Sequence, residues 1–179
     1  MITTKDEFAK ALERLRQRDP EALAAFIMSL VHDPGPIGAQ VRTFIVGDDV
    51  AETAESLRQR IRRLRVPTEY DHRHARGKEI GASLALIVES IESLVLPVNP
   101  HLAFDLLVTV FEADGRAMEN CGDYHWEVEC AFERAAEVLA EAAKSLPAVE
   151  VKEKIKALIA VDLYGVRKVL SSIIADDQL

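Results

Sequence analysis

The chain has 179 residues, 49% hydrophobic and 29% charged, with a net charge of −8. That length fits one domain spanning 1–179 and buries roughly two-thirds of the unfolded surface. The composition excludes a disordered or collagen-like chain, and two cysteines exclude a disulfide scaffold.

Taken in chain order, every sustained period is helical. Thr4 with Glu7 forms a capping-box pattern ahead of Phe8, Leu12 and Leu15, opening a helix expected over 4–17. Charges run through this opening stretch, so no signal peptide is expected and a cytoplasmic location follows. Asp19-Pro20 reads as an N-cap followed by proline at the first helical position, predicting a helix over 20–32. Ile37, Val41, Phe44 and Ile45 recur at i, i+4, i+7 and i+8 and predict a helix over 36–46. Val50, Ala54, Leu57, Ile61 and Leu64 alternate steps of four and three over 49–65, the narrow seam of helices crossing at a shallow angle.

A long helix is expected over 71–96, where Ile80, Leu84, Ile87, Val88, Ile91, Leu94 and Val95 share one face. Its stretch LALIVESIESLVL carries Glu89 and Glu92 and is too short to span a bilayer, so no membrane association is expected. Asn99-Pro100 repeats the cap-and-proline signal and opens 100–118, whose Leu102, Phe104, Leu106, Leu107, Val108, Val110 and Phe111 demand cover on several sides. Val128, Phe132, Ala135, Leu139 and Ala142 predict 123–145, and Leu163, Val166, Leu170, Ile173 and Ile174 predict 163–176. Between them, VEVKEKIK at 149–156 alternates like a strand. A lone strand has no partner, so Val151, Ile155, Leu158 and Ile159 decide for a helix over 148–161, with Glu150 and Lys154 paired one turn apart. All seven prolines fall where these patterns start or stop.

The expected class is therefore all-α, with short connections that make antiparallel helical hairpins. A compact bundle and a short tetratricopeptide-like solenoid both fit, although no fixed-period repeat is present.

The stretch AMENCGDYHWEVEC gathers both cysteines, a histidine and the single tryptophan. On one continuous helix Cys121, His125 and Glu129 would share a face as metal ligands do. Cys121 and Cys130 would stand roughly 13 Å apart, beyond the reach of a disulfide. Gly122 and Asp123 instead look like a turn and a cap, which removes Cys121 from that face. No CxxC or HExxH accompanies them, so no metal and no cofactor is expected. Trp126 is expected at a helix interface and Cys130 as a small buried residue. His72 and His74, two apart, point to opposite sides of a helix, and a solvated first turn is the expectation there.

Charge is uneven. Residues 58–78 hold eight basic side chains against Glu69 and Asp71, a local +6, which leaves −14 on the rest of a chain totalling −8. Arg58, Arg62 and Arg65 form one stripe, Ile61 and Leu64 lie on the buried side, and Arg73 and Arg76 on the next helix extend the same positive patch. These five arginines are the candidate partner-binding residues. Their competing role is a solvated face paired with the acidic helices 123–145 and 148–153. No phosphate loop, G-x-S-x-G or other catalytic motif occurs, so no catalytic residue is assigned.

Residues 58–146, especially YDHRHARGKEIGASLALIVESIESLV and HLAFDLLVTVFEADGRAMENCGD, resemble an uncharacterised bacterial family of all-helical proteins. Tyr70, Ala75 and Arg76 match its entry into a long helix, and Asn120, Gly122 and Asp123 approximate its acid-rich loop. Similar regions occur joined to SWIM-type zinc-finger segments, whose zinc ligands are absent here. The resemblance implies a helical repeat-like fold of unknown function and carries over no catalytic residue. The expected function is a non-enzymatic scaffold that binds a protein partner. The alternative is association with nucleic acid through 58–78, against which stand the acidic body and Tyr70 as the sole aromatic nearby.

Overall fold

A computed structural model describes residues 5–31, 36–45, 49–64, 73–121 and 125–175. Among these residues there are ten α-helices, one π-helical turn and one 3-10 turn, and no strand. The fold is all-α. The chain divides into two compact units, 1–41 and 42–179.

The first unit holds α1 (Lys5–Arg16) and α2 (Pro20–Leu30). The Asp19 carboxylate accepts the Ala22 N–H at 3.0 Å with Pro20 at the first helical position, which is the cap the sequence predicts. Helix α2 buries none of its residues, and Phe26 and Met28 are exposed. The cap expected at Thr4 lies outside the described residues, as do Pro34 and Pro67. Helix α3 (Pro36–Ile45) forms as expected and crosses the boundary between the units, but Ile37, Phe44 and Ile45 are exposed.

The second unit contains the core. In α4 (Val50–Arg63) Asp49 accepts N–H bonds from Ala51 and Glu52, and the seam residues Ala54, Leu57 and Ile61 are fully buried. Helix α5 (Arg73–Ser90) passes into a π-helical turn at Ile91–Val95, where the Leu96 N–H reaches the Ile91 carbonyl at 2.8 Å. Ile91 and Val95 of that turn are buried. Helix α6 (Pro100–Phe111), capped by Asn99 on the Leu102 N–H, buries Ala103, Phe104, Leu106, Leu107, Val108, Val110 and Phe111. It is the inner helix its composition demanded, touching α4, the π turn and α8 (His125–Ala143). Each large side chain fully buried there contributes about 1.5–3 kcal/mol.

Among the described residues, helices α5 and α8 make the most extensive pairing. Gly81 permits it, because a Cβ there would stand 2.8 Å from the Glu127 Cβ and 2.9 Å from the Glu127 carbonyl carbon. Where α6 meets α8, the Phe111 and Phe132 rings lie 5.5 Å apart at 41°.

Two expected helices are broken. The predicted 100–118 stops at Phe111 and restarts as α7 (Asp114–Asn120). The Ala113 N–H closes a tight turn on the Val110 carbonyl, so that Ala113 and Ala117 enter the core on a new axis. The predicted 163–176 is not one helix. After α9 (Ala148–Ala160) the Asp162 carboxylate accepts the Gly165 N–H at 2.8 Å and Gly165 takes φ +81°. Positive φ suits glycine and ends helical continuity. A 3-10 turn (Val166–Leu170) and α10 (Ser171–Ala175) follow. Leu163 is consequently not a core residue: it is 85% exposed, while Leu170 and Ile173 are buried. The strand-like 149–156 is helical, although Glu150 and Lys154 form no ion pair there.

Candidate functional site

The 3-10 turn packs against α8 and is fastened from both sides. The Arg167 guanidinium donates from Nε and Nη2 to the two Asp114 oxygens, each at 2.6 Å, and from Nη1 to the Leu158 carbonyl at 3.0 Å. Both side chains are more than nine-tenths buried. The Asp114 hydrogen bonds hold the Arg167 pKa above its ordinary value despite burial. One turn is thereby tied to the start of α7 and the end of α9. The second oxygen of Asp162, Oδ2, is buried with no hydrogen-bond partner among the described residues.

Gly165 turns the chain so that Tyr164 lies over α7. Its hydroxyl donates to Glu119 Oε1 at 3.1 Å, which raises the phenol pKa, and its ring carbon Cε2 lies 3.7 Å from the position of a Gly115 Cβ. Between this fastened segment and α8 lies an open depression of about 270 Å³, lined by Glu129, Phe132, Glu133, Tyr164, Gly165, Val166 and Val169. Phe132 is buried at 1% exposure, whereas Tyr164 is 40% exposed. Neither Glu129 nor Glu133 has a hydrogen bond or ion pair among the described residues. Their α8 neighbours are engaged: Arg134 bridges Glu137 and Glu92, and Lys144 pairs with Glu141.

Trp126 is 71% exposed, so the interface position expected for it is corrected. It falls at i, i+3 and i+7 with Glu129 and Glu133, on the α8 stripe that walls the depression. Cys130 is half-buried, less enclosed than expected, while Cys121 is fully buried at the end of α7, its thiol donating to the Met118 carbonyl at 3.1 Å. Burial pushes the Cys121 pKa up, and Glu129 adds to the rise. The side chains of His72, His74 and His125 lie outside the described residues.

Of the five candidate arginines, Arg58 and Arg62 are described with their side chains; Arg65 and the side chains of Arg73 and Arg76 are not. Arg58 and Arg62 reach Glu55 of their own helix at 3.7 and 3.8 Å. The pairing expected with 123–145 and 148–153 is not made by either of them: Glu137 and Glu141 are taken by Arg134 and Lys144. Between them on α4, Arg60 is held at a pKa of about 10, first by burial and then by the nearby positive charge of Arg42. Sequence reasoning pointed to this helix and missed the depression, whose walls come from segments more than thirty residues apart.

The fold and site define an all-α protein with a small, preformed depression beside its C-terminal turn. A model of the family of unknown function DUF6880 matches residues 8–177, so the chain belongs to that family. No curated protein and no solved structure matches it. Among the described residues, no helix is long and apolar enough to cross a membrane, and no group of three or more histidine, cysteine, aspartate or glutamate side chains is placed to hold a metal.

Proposed function

We propose that this chain is a cytoplasmic, non-enzymatic helical scaffold that holds a protein partner. The observation that carries the reading is the depression between α8 and the 3-10 turn, a concave surface whose far wall is fastened by the buried Arg167–Asp114 pair. A rigid wall lowers the ordering cost of association. Its volume of about 270 Å³ has room for one or two side chains of a polypeptide. Tyr164 and Val169 line it, and exposed Leu163 beside Tyr164 and exposed Trp126 on α8 add apolar area.

The alternative reading is association with nucleic acid through 58–78. It is favoured by the basic side chains carried on α4, Arg58, Arg60 and Arg62, with Arg42 close enough to Arg60 to add, after burial, to the lowering of its pKa. Pull-down of the full chain from its host, with nuclease-treated and untreated lysates compared across a salt series, separates the two. Phosphate binding weakens steeply with salt and is lost with nuclease, whereas a groove-held protein survives both. Retention of nucleic acid alone would overturn the scaffold reading.

A further inference from the structure

Two glutamates one turn apart on an exposed helix are ordinarily solvated surface. Glu129 and Glu133 differ because they form one wall of a concavity whose floor is the buried ring of Phe132 and whose other wall is apolar and aromatic. That far wall is Tyr164, Val166 and Val169, pinned by Arg167 through Asp114 and by the Tyr164 hydroxyl through Glu119. Among the described residues, neither carboxylate has a cationic partner. Lys168, whose Nζ lies 3.7 Å from the position of a Gly165 Cβ, pairs with neither.

We infer that the depression receives a lysine or arginine side chain from a partner protein, carried on a segment that also bears apolar residues. This deepens the scaffold reading and rests on it. The match is one of charge and shape together. The aliphatic stem of such a side chain packs along apolar surface while its head stays polar, which is what the Phe132 ring and the far wall of Val166 and Val169 offer beside two carboxylates. Bonds from a guanidinium or ammonium to a carboxylate are about twice as strong as neutral ones. Tyr164 supplies a ring beside the carboxylates for a cation–π contact, and Trp126 lies on the same α8 stripe one turn away. An anionic ligand would meet both carboxylates and, beyond them, the Glu119 charge that Tyr164 engages. Among the described residues, no group of three or more histidine, cysteine, aspartate or glutamate side chains is placed to hold a metal ion there.

The test uses the full chain and a random peptide library displayed on phage. The peptides retained should be enriched in lysine or arginine next to apolar residues. A synthetic peptide of the retained consensus should change the fluorescence of Trp126, the single tryptophan. Glu129→Gln with Glu133→Gln should weaken that peptide about tenfold, and Glu133→Lys more, with the helical circular dichroism unchanged. Retained peptides without basic enrichment, or a consensus peptide bound equally by the variants, would overturn the basic-side-chain inference and leave the scaffold reading standing. Retention no greater than on bare support would overturn both.

Discussion

At the scale of single residues, the Arg167–Asp114 pair is a buried ion pair more than nine-tenths enclosed on both sides. It is bidentate and buried, and the Leu158 carbonyl accepts a third bond, so each guanidinium nitrogen has a partner. Removing one partner strands the other charge in a medium that solvates it poorly. Arg167→Met should therefore cost about 3–5 kcal/mol in urea unfolding, and adding Asp114→Leu should recover much of the loss. A single variant that unfolds at the wild-type urea concentration would show that the pair contributes nothing. Cys121 gives a second expectation. In the native protein a thiol reagent should titrate Cys130 first and reach fully buried Cys121 only on unfolding. The folded Cys121 thiol ionises above the ordinary value of 9.0 and the unfolded one near it. Above pH 9.0 the unfolded chain thus binds fewer protons, and stability falls as pH rises through the folded pKa; below 9.0 the contribution is fully present. Wild type should lose more stability between pH 8 and pH 10 than Cys121→Ala, and parallel pH profiles would contradict this.

At the scale of elements, close approach of α5 and α8 depends on one missing side chain. Gly81→Ala would drive a Cβ into the Glu127 backbone, an atom that cannot rotate away. Such overpacking costs about 1–3 kcal/mol, outweighing the helix propensity that alanine gains, so the variant should melt below the wild type. Apolar periodicity exposed most of this architecture, because Ala54, Leu57, Ile61, Val128, Phe132 and Leu139 obey a helical period and are buried. It failed where local hydrogen bonds override the period. Leu163 keeps register with Val166 and Leu170, yet the Asp162–Gly165 turn swings it into solvent. The Val110–Ala113 turn likewise splits a helix that reads as continuous. The depression was illegible for a different reason. Glu129 and Glu133 read as an ordinary acidic face until Tyr164 and Val169 are brought opposite them, and that pairing is tertiary.

At the scale of the whole molecule, the basic residues 58–78 stand against a remainder carrying −14. Screening confines such a field to about 8 Å at physiological salt, so the acidic body shapes encounters with the α4 stripe only at close range. The stripe is not a stabilising network. Arg58 and Arg62 share a single carboxylate, Glu55, at 3.7 and 3.8 Å, and their side chains are 35% and 65% exposed. Deleting one of them leaves Glu55 with the other, and pairs of this kind are worth under about 1 kcal/mol. The triple change Arg58→Gln, Arg62→Gln and Arg65→Gln should accordingly leave the thermal midpoint within a few degrees of wild type. Binding to a duplex DNA column is the sensitive readout. If 58–78 contacts phosphates, retention at low salt should collapse in the triple variant, and the slope of binding against salt should flatten by about one unit per lost contact. A triple variant that unfolds would make these arginines structural; one that folds and binds DNA with the wild-type salt slope would remove α4 from any role in nucleic-acid binding.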